Sequence, residues 1–400
     1  MSDLAKTIGK TKLGTKASSA NTNKIAEILE EEPGLQQSIE DDSSSASSVS
    51  STGTVVPPST QKQPSAAPPT AASAANVDWT RYFAQELFLE HRDDASGEHA
   101  QYHVYVTPPA TPKTPLLVLH HGAGSSALTW ALFALEVRRL MPEVGVLAVE
   151  AREHGSVVVD GDGGVDGSMT VTKLSADLAR MIRLTAAKLG WAQTPQLLLV
   201  GHSLGGAVVV EAAKSGVLPG GAATVMGYAV LDVVEGSAID ALKHMHTYLS
   251  TRPSIFPSPD AAIDWHIRSR TLRNPDSARA SVPSLLRRLE SGKWVWKTDL
   301  AQTEPYWTNW FEGMSSKFLT ARGAKLLLLA GTDRLDKELM IGQMQGKFQL
   351  QVYPAAGHFI QEDVPDQCAQ TVVEFLKRND RSTLVLPPKV SDLLAQGKKV

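Results

Sequence analysis

Short, continuously apolar runs alternate with stretches of helical periodicity over most of the chain. The apolar runs lie at Pro115–Leu119, Val144–Val149, Gln196–Val200, Tyr228–Leu231, Lys325–Ala330 and Phe348–Tyr353. Runs of this length are typical of strands buried on both faces, as in a parallel sheet that is covered by helices. Because strands and helices alternate, the pattern predicts an α/β fold with a mostly parallel sheet, helices on both of its faces and right-handed crossovers.

Two further strands are predicted ahead of these runs. Glu86–Glu90 and Gln101–Val106 are rich in strand-forming side chains, and turn-forming residues lie between them at Asp94–Gly97. Strand-like runs that flank such a turn are typical of a β-hairpin. We therefore expect an antiparallel hairpin at the start of the folded region.

The interval from about residue 236 to residue 320 breaks the alternation. It contains no clear buried strand but holds five of the eight tryptophans, namely Trp265, Trp294, Trp296, Trp307 and Trp310. We interpret it as a mainly helical cap that is inserted over the carboxyl edge of the sheet. Its aromatic side chains could line a binding groove, although packing of the cap onto the sheet is the favoured role for any single tryptophan.

The two ends of the chain have a different composition. Residues 43–52 are almost all Ser and Thr, and residues 55–75 are rich in Pro, Ser, Ala and Thr. Such segments bury too little apolar surface to offset the entropy that ordering costs. We predict a disordered tail over residues 1–76, a folded domain with its cap over residues 77–380, and a C-terminal tail over residues 381–400.

Composition excludes several classes of protein. The 400 residues carry a net charge of −3, which gives no general electrostatic reason to bind nucleic acid or an acidic membrane. The single cysteine, Cys368, excludes an internal disulfide and an all-cysteine zinc site. No apolar run approaches the roughly 20 residues that span a bilayer, and the first residues lack the apolar core of a secretory signal. We expect a monomer located in the cytoplasm or also in the nucleus.

The strongest chemical signal is the segment Leu199-Val-Gly-His-Ser-Leu-Gly-Gly-Ala207. It contains Gly-x-Ser-x-Gly between an apolar strand and a helix-forming stretch, which is typical of a nucleophile elbow that exposes Ser203 above the sheet. Gly201 and Gly205 allow the close backbone passage of this turn. The helix that follows would direct its N-terminal amides towards a developing oxyanion.

A loop suited to an oxyanion hole follows the run Pro115–Leu119, where the sequence reads His-His-Gly-Ala-Gly over residues 120–124. In folds with this elbow, the loop after the third strand supplies a second oxyanion donor. We therefore predict an oxyanion hole formed by the backbone N–H groups of Ala123 and Leu204. His120 and His121 are interpreted as residues that orient this loop rather than as bases or metal ligands.

The general base is predicted to be His358. It lies in Gly357-His358 directly after the last strand-like run, where this fold places its catalytic histidine. A neutral imidazole there could take the Ser203 proton and return it to a leaving alcohol. The competitors are His154, which we expect to shape the loop after Val144–Val149, and His202, whose side chain we expect to point away from the nucleophile.

The acid that would orient His358 is less clear from the spacing. A chain order of serine, acid and histidine leaves Asp232, Asp333 and Asp336 as candidates. The usual position favours Asp333 or Asp336, whereas Asp232 follows the preceding strand. Since these two strands are neighbours in such a sheet, a carboxylate from either could reach the same imidazole, and spacing alone does not choose between them.

Residues Trp79 to Lys377 resemble the protein phosphatase methylesterase family of α/β-hydrolases. The resemblance rests on Gly201–Ala207, Leu231–Ala238, Arg252–Pro253, Tyr306–Trp307, Leu326–Asp336, Ile341–Phe348 and Gly357–His358. The stretches Asp-Val-Val-Glu-Gly and Ile-Gly-Gln-Met-Gln-Gly-Lys-Phe are more specific than the elbow, which other hydrolases of this fold also carry. One departure is Ala123, which replaces a glycine of the oxyanion loop and retains its N–H.

The resemblance implies a concrete activity. The family removes the methyl ester from the carboxy-terminal leucine of the type 2A protein phosphatase catalytic subunit, which would be the partner, and it uses the aspartate that corresponds to Asp232. No cofactor or metal is then expected. Two alternatives remain: a general carboxylesterase or lipase for small or lipid esters, and a binding protein that inhibits the phosphatase. Six arginines make the cap basic, which disfavours an apolar lipase lid; they are Arg268, Arg270, Arg273, Arg279, Arg287 and Arg288.

Overall fold

A computed structural model of the chain describes residues 78–331 and 335–380. The predicted tails at residues 1–76 and 381–400 lie outside the described residues, and so does Asp333. Among the helices within the described ranges, none combines the length and the apolar character that a membrane crossing needs.

In the described part of the chain, nine strands form one mixed sheet. The strands are β1 (Gln85–Asp93), β2 (Glu98–Thr107), β3 (Leu116–His120), β4 (Gly145–Val149), β5 (Val157–Val159), β6 (Leu197–His202), β7 (Val225–Leu231), β10 (Ala324–Leu329) and β11 (Gln349–Val352). Their order across the sheet is β1-β2-β4-β3-β6-β7-β10-β11, with β5 beside β2. The six strands from β4 to β11 along this order pair in parallel. The predicted mostly parallel sheet is therefore confirmed, and the predicted hairpin is β1-β2.

Helices cover both faces of this sheet. The α-helices are α1 (Ala131–Leu140), α2 (Val171–Lys188), α3 (Leu204–Ser215), α4 (Glu235–Leu242), α5 (Met245–Thr251), α6 (Pro259–Arg268), α7 (Pro275–Ser281), α8 (Trp307–Phe311), α9 (Met314–Thr320), α10 (Lys337–Met344), α11 (Ile360–Asp363) and α12 (Pro365–Asn379). One apolar layer joins α2 and α3 to the sheet, and the other joins α1 and α12 to its opposite face.

The central strand β3 shows why the apolar runs form this sheet. All five of its residues are buried. Leu116 and Val118 belong to the α2–α3 layer, whereas Leu117 and Leu119 belong to the α1–α12 layer. Successive side chains of a strand point to opposite faces, so a strand between two helical layers needs apolar residues at every position.

The interval 236–320 is mainly helical and also contains a short hairpin, β8 (Leu286–Arg288) with β9 (Trp294–Trp296). The sequence did not predict this hairpin because each strand has only three residues and β8 includes two exposed arginines. The first part of the interval 236–320 has a small apolar core of its own around Phe256 and Leu272. Its last part inserts Trp307 and Trp310 into the main core, which is the packing role favoured for these tryptophans.

Candidate active site

Ser203 lies in the turn between β6 and α3. Its backbone has φ 53° and ψ −122°, a conformation that costs a non-glycine residue on the order of 1–3 kcal/mol. A Cβ added at Gly201 would lie 2.1 Å from the Gly205 carbonyl oxygen, and one added at Gly205 would lie 2.2 Å from the His120 oxygen. No side chain fits at either position, so the two glycines permit the tight turn that presents Ser203.

His358 lies after β11, in the loop before α11, and it contacts Asp232 at the end of β7. The His358 Nδ1–H donates to Asp232 Oδ2 over 2.8 Å. The other carboxylate oxygen accepts a hydrogen bond of 2.9 Å from the Ala330 N–H. The Asp232 side chain is fully buried, whereas that of His358 is 46% exposed. With Nδ1 protonated in this way, the neutral ring leaves Nε2 able to accept a proton.

Of the other two candidate acids, Asp336 has a different role in the structure. It caps the start of α10, where its Oδ1 accepts from the Leu339 N–H at 2.9 Å and its Oδ2 accepts from the Ser315 hydroxyl at 2.5 Å. Among the described candidates, only Asp232 hydrogen-bonds to His358. Asp336 therefore lies after the strand where the usual triad acid is expected, but its carboxylate caps a helix and does not contact His358.

Two buried histidines hold the loop that follows β3. His121 donates from Nδ1 to the Gly122 oxygen at 2.7 Å and accepts at Nε2 from the Ala151 N–H at 3.0 Å. His154 donates from Nδ1 to the Arg152 oxygen and accepts at Nε2 from the Gly124 N–H. Both patterns need a neutral ring, and burial lowers the pKa of His154 to about 4 and that of His121 well below its usual range. These rings orient the loop.

The loop lies directly against the nucleophile. A Cβ added at Gly122 would be 3.1 Å from Ser203 Cβ, and Ala123 lines the cavity into which Ser203 opens. Leu204 is the first residue of α3, so its N–H has no acceptor within the helix. Both predicted oxyanion donors thus belong to backbone segments that border Ser203.

His202 has a position that the sequence did not predict. Its side chain does not point away from the site: its ring centroid lies 4.6 Å from that of His358, and its Nε2–H donates to the His358 carbonyl oxygen at 2.8 Å. Burial lowers the pKa of His202 to about 3, so the ring is neutral. His202 therefore holds the backbone of the loop that carries His358.

Ser203 and His358 line one cavity of about 200 Å³ between the sheet edge and the cap. The cap contributes one cation, Arg252, to the lining of this cavity. It also contributes apolar and aromatic side chains, among them Met245, Tyr248, Trp265, Leu272, Leu285 and Leu300. The cap residues and the loops after the parallel strands thus enclose the same space.

Glu362 is a buried carboxyl group in the wall of this cavity. It accepts hydrogen bonds from the Ser281 hydroxyl at 2.5 Å and from the Thr129 hydroxyl. Burial raises the pKa of Glu362 to about 8, so the group is mostly protonated near neutral pH. From α11, Glu362 thus connects the cap helix α7 to the segment after β3 that carries Thr129, a role that no sequence motif indicated.

No cluster of three or more histidine, cysteine, aspartate or glutamate side chains suited to a metal ion occurs within residues 78–331 and 335–380.

The chemistry that the arrangement of Ser203, His358 and Asp232 supports is attack by a hydroxyl group on a carbonyl, assisted by a histidine that a carboxylate orients.

Comparison with known proteins assigns the family. The model of the α/β-hydrolase family matches residues 117–371. Protein phosphatase methylesterase 1 of Aspergillus oryzae is 55% identical over 333 residues, which covers 81% of this chain and 77% of that protein. The chain belongs to the protein phosphatase methylesterase family. The fission yeast Schizosaccharomyces pombe has a methylesterase that is 43% identical over 314 residues and covers 78% of this chain and 88% of its own length.

The methylesterase assignment confirms the resemblance and the fold that the sequence predicted, and it makes the chain a carboxylic ester hydrolase. Solved structures agree on the fold. The peroxisomal α/β-hydrolase Lpx1 of Saccharomyces cerevisiae superposes with a TM-score of 0.55 at 13% identity, covering 78% of this chain and 94% of that one. E-2-(acetamidomethylene)succinate hydrolase gives a TM-score of 0.53 at 19% identity, covering 73% and 100%.

Proposed function

We propose that this methylesterase removes the methyl ester from the carboxy-terminal leucine of the type 2A protein phosphatase catalytic subunit, with Ser203 as nucleophile, His358 as base and Asp232 as the orienting acid. The observation that carries the proposal is the His358–Asp232 hydrogen bond of 2.8 Å beside the strained Ser203 turn, in a chain whose relatives are named protein phosphatase methylesterase 1.

The first half-reaction is acyl transfer to the enzyme. Ser203 Oγ attacks the ester carbonyl carbon while His358 Nε2 takes its proton, and the buried Asp232 carboxylate stabilises the imidazolium that forms. The carbonyl oxygen becomes an oxyanion, which accepts hydrogen bonds from the Ala123 and Leu204 N–H groups. Loss of one such donor typically costs about 3–4 kcal/mol of transition-state stabilisation.

Loss of methanol completes this acylation, and water then frees the enzyme. The His358 imidazolium gives its proton to the departing methoxide, so methanol leaves and an acyl-enzyme remains on Ser203. In the second half-reaction, water attacks the acyl carbon as His358 takes its proton. The second tetrahedral intermediate then collapses with cleavage of the bond to Ser203 Oγ, which takes the proton from His358, and the carboxylic acid is released. Every proton in this cycle passes through His358, so no cofactor is needed.

The cavity supports a chain end as the substrate. Its volume of about 200 Å³ is smaller than the roughly 300–1,000 Å³ of typical ligand pockets. Trp265, Leu300 and Phe359 supply apolar lining for an aliphatic side chain such as leucine. A methyl ester adds little bulk on the leaving side, whereas a long lipid chain would need more room.

The test is methanol release from the carboxymethylated type 2A catalytic subunit, compared among the wild type, Ser203→Ala, Asp232→Asn, Asp333→Asn and Asp336→Asn. The proposal expects loss of release in Ser203→Ala and Asp232→Asn and retention in the other two. Retained release in Asp232→Asn with loss in Asp333→Asn would mean that the acid is wrongly assigned. Hydrolysis of small esters without methanol release would favour the general esterase, and binding without any hydrolysis would favour the inhibitory protein.

A further inference from the structure

Arg252 is a cation in the active-site cavity for which the described part of the chain supplies no anionic partner. It follows α5 on the cap and lines the same cavity as Ser203 and His358. Among the residues that the structure describes, its guanidinium forms no ion pair, and its Nε, which is covered from solvent, has no hydrogen-bond partner. A buried charge without a partner is unfavourable, so such a group in a binding cavity indicates a ligand of opposite charge.

Aromatic side chains hold Arg252 in place without using its N–H donors. The guanidinium carbon lies 4.0 Å from the ring centre of Trp296 and 5.8 Å from that of Tyr248. The Trp296 indole N–H donates to the Pro253 oxygen at 2.8 Å, which fixes the ring beneath the arginine. The stack therefore orients the planar guanidinium, whose five N–H donors match the geometry of a carboxylate.

The other buried titratable groups that line this cavity are uncharged near neutral pH. Burial lowers the pKa of His266 to about 4 and that of His202 to about 3. Burial raises the pKa of Glu362 to about 8, and its carboxyl group is already hydrogen-bonded to two hydroxyl groups. None of these groups neutralises Arg252, so a ligand entering the cavity meets a positive charge on the cap side.

We propose that Arg252 binds a carboxylate of the peptide ligand, an inference that rests on the proposed function because it takes the ligand to be a peptide chain end. The carboxylate has two possible sources. One is the terminal carboxylate that hydrolysis of the ester creates, and the other is an acidic side chain shortly before the esterified residue. Arginine binds either source by paired N–H···O hydrogen bonds. The first source predicts retention of product, and the second predicts sequence selectivity for the substrate.

The test measures binding of fluorescent leucine-terminated peptides to the full-length Ser203→Ala chain by anisotropy, so that hydrolysis plays no part. The two peptides of the first pair have no charged side chains, and one ends in a free carboxylate whereas the other ends in an amide. A second, amide-ended pair compares Asp with Asn before the leucine. We expect the carboxylate peptide of at least one pair to bind about 10-fold more tightly than its neutral partner, and that pair identifies the source.

Two further variants of the Ser203→Ala chain decide the role of Arg252. Arg252→Gln should abolish the preference, whereas Arg252→Lys should keep part of it. Arg268→Gln removes the same charge from an exposed position on α6 and should keep all of it. The proposal would be overturned if the Ser203→Ala chain showed no preference for the carboxylate peptides, or if the preference survived Arg252→Gln. It would also be overturned if Arg252→Gln weakened the binding of carboxylate and neutral peptides equally. Failure of methanol release by the wild type, measured separately, would instead overturn the proposed function.

Discussion

Substitution of Asp232 by Asn tests the hydrogen bond that orients the proposed base. In the wild type, one carboxylate oxygen of Asp232 accepts from the Ala330 N–H at 2.9 Å and the other accepts from His358 Nδ1–H at 2.8 Å. An asparagine must keep its oxygen towards the Ala330 donor, since that N–H would otherwise face an NH₂ group. Its amide then faces His358 Nδ1, which must become the acceptor.

That reversal places the imidazole proton on Nε2, where it blocks acceptance of the Ser203 proton. In serine hydrolases the corresponding change lowers kcat by about 10⁴-fold, which corresponds to roughly 5.5 kcal/mol in activation free energy. We expect a loss of this order in Asp232→Asn, with KM changed much less because the carboxylate is buried and does not line the cavity.

The assay is steady-state hydrolysis of a small chromogenic ester, with the melting temperature as a check on folding. Asp336→Asn is the matched control, since it makes the same change at a helix cap and should keep kcat within a few-fold. A folded Asp232→Asn variant with more than about one tenth of wild-type kcat would refute the reasoning, because it would show that Asp232 does not set the His358 tautomer.

Three further predictions concern the elbow, the core and the cavity wall. Gly205→Ala should lower both kcat and stability, by about 1–3 kcal/mol in the latter, since its Cβ would lie 2.2 Å from the His120 oxygen. The control Gly167→Ala meets no atom within 4 Å and should change neither, so equal melting curves and activities for the two variants would contradict this. Asp177→Ala should destabilise the fold by about 3 kcal/mol in denaturant titrations, because Arg152, whose side chain is 1% exposed, loses the buried carboxylate that it contacts at 2.6 Å and keeps only Asp166 of the described residues, at 3.1 Å, as an anionic partner. Asp240→Ala, which breaks an exposed ion pair, should cost less than about 1 kcal/mol, and a similar loss for both variants would contradict the reasoning. Glu362→Gln should flatten the dependence of stability on pH, because burial raises the pKa of Glu362 from 4.5 to about 8 in the folded chain. Between these pH values the folded wild type holds a proton that the unfolded chain has lost, so its stability falls by up to about 1.4 kcal/mol per pH unit as pH rises. Melting curves from pH 5 to pH 9 measure this slope, and equal slopes for both proteins would contradict the prediction.

The sequence predicted those parts of the fold and site that depend on local pattern. The strand β6 and the elbow were predictable because an apolar run, two glycines and a helix-forming stretch follow one another within a few residues. The hairpin β8-β9 was missed because strands of three residues, one with two arginines, leave no periodic signal.

Other parts of the site depend on contacts that are distant in sequence. Asp232 and Asp336 follow neighbouring strands, and they differ in whether they reach His358, which is 126 residues away from Asp232 in the sequence. His202 meets a loop that is 156 residues away, so its contact with the His358 carbonyl had no local signal. Glu362 reaches two hydroxyls on separate segments, and only the folded arrangement brings these three groups together.

The most direct test of the central proposal is mass spectrometry of the carboxy-terminal peptide of a methylated type 2A catalytic subunit after incubation with this protein. The account predicts that the wild type converts the terminal methyl ester to the free acid and that Ser203→Ala, folded to the same melting temperature, leaves it methylated. A peptide that stays methylated with an enzyme still active on small esters would contradict the proposed substrate, and equal demethylation by Ser203→Ala would contradict the proposed nucleophile.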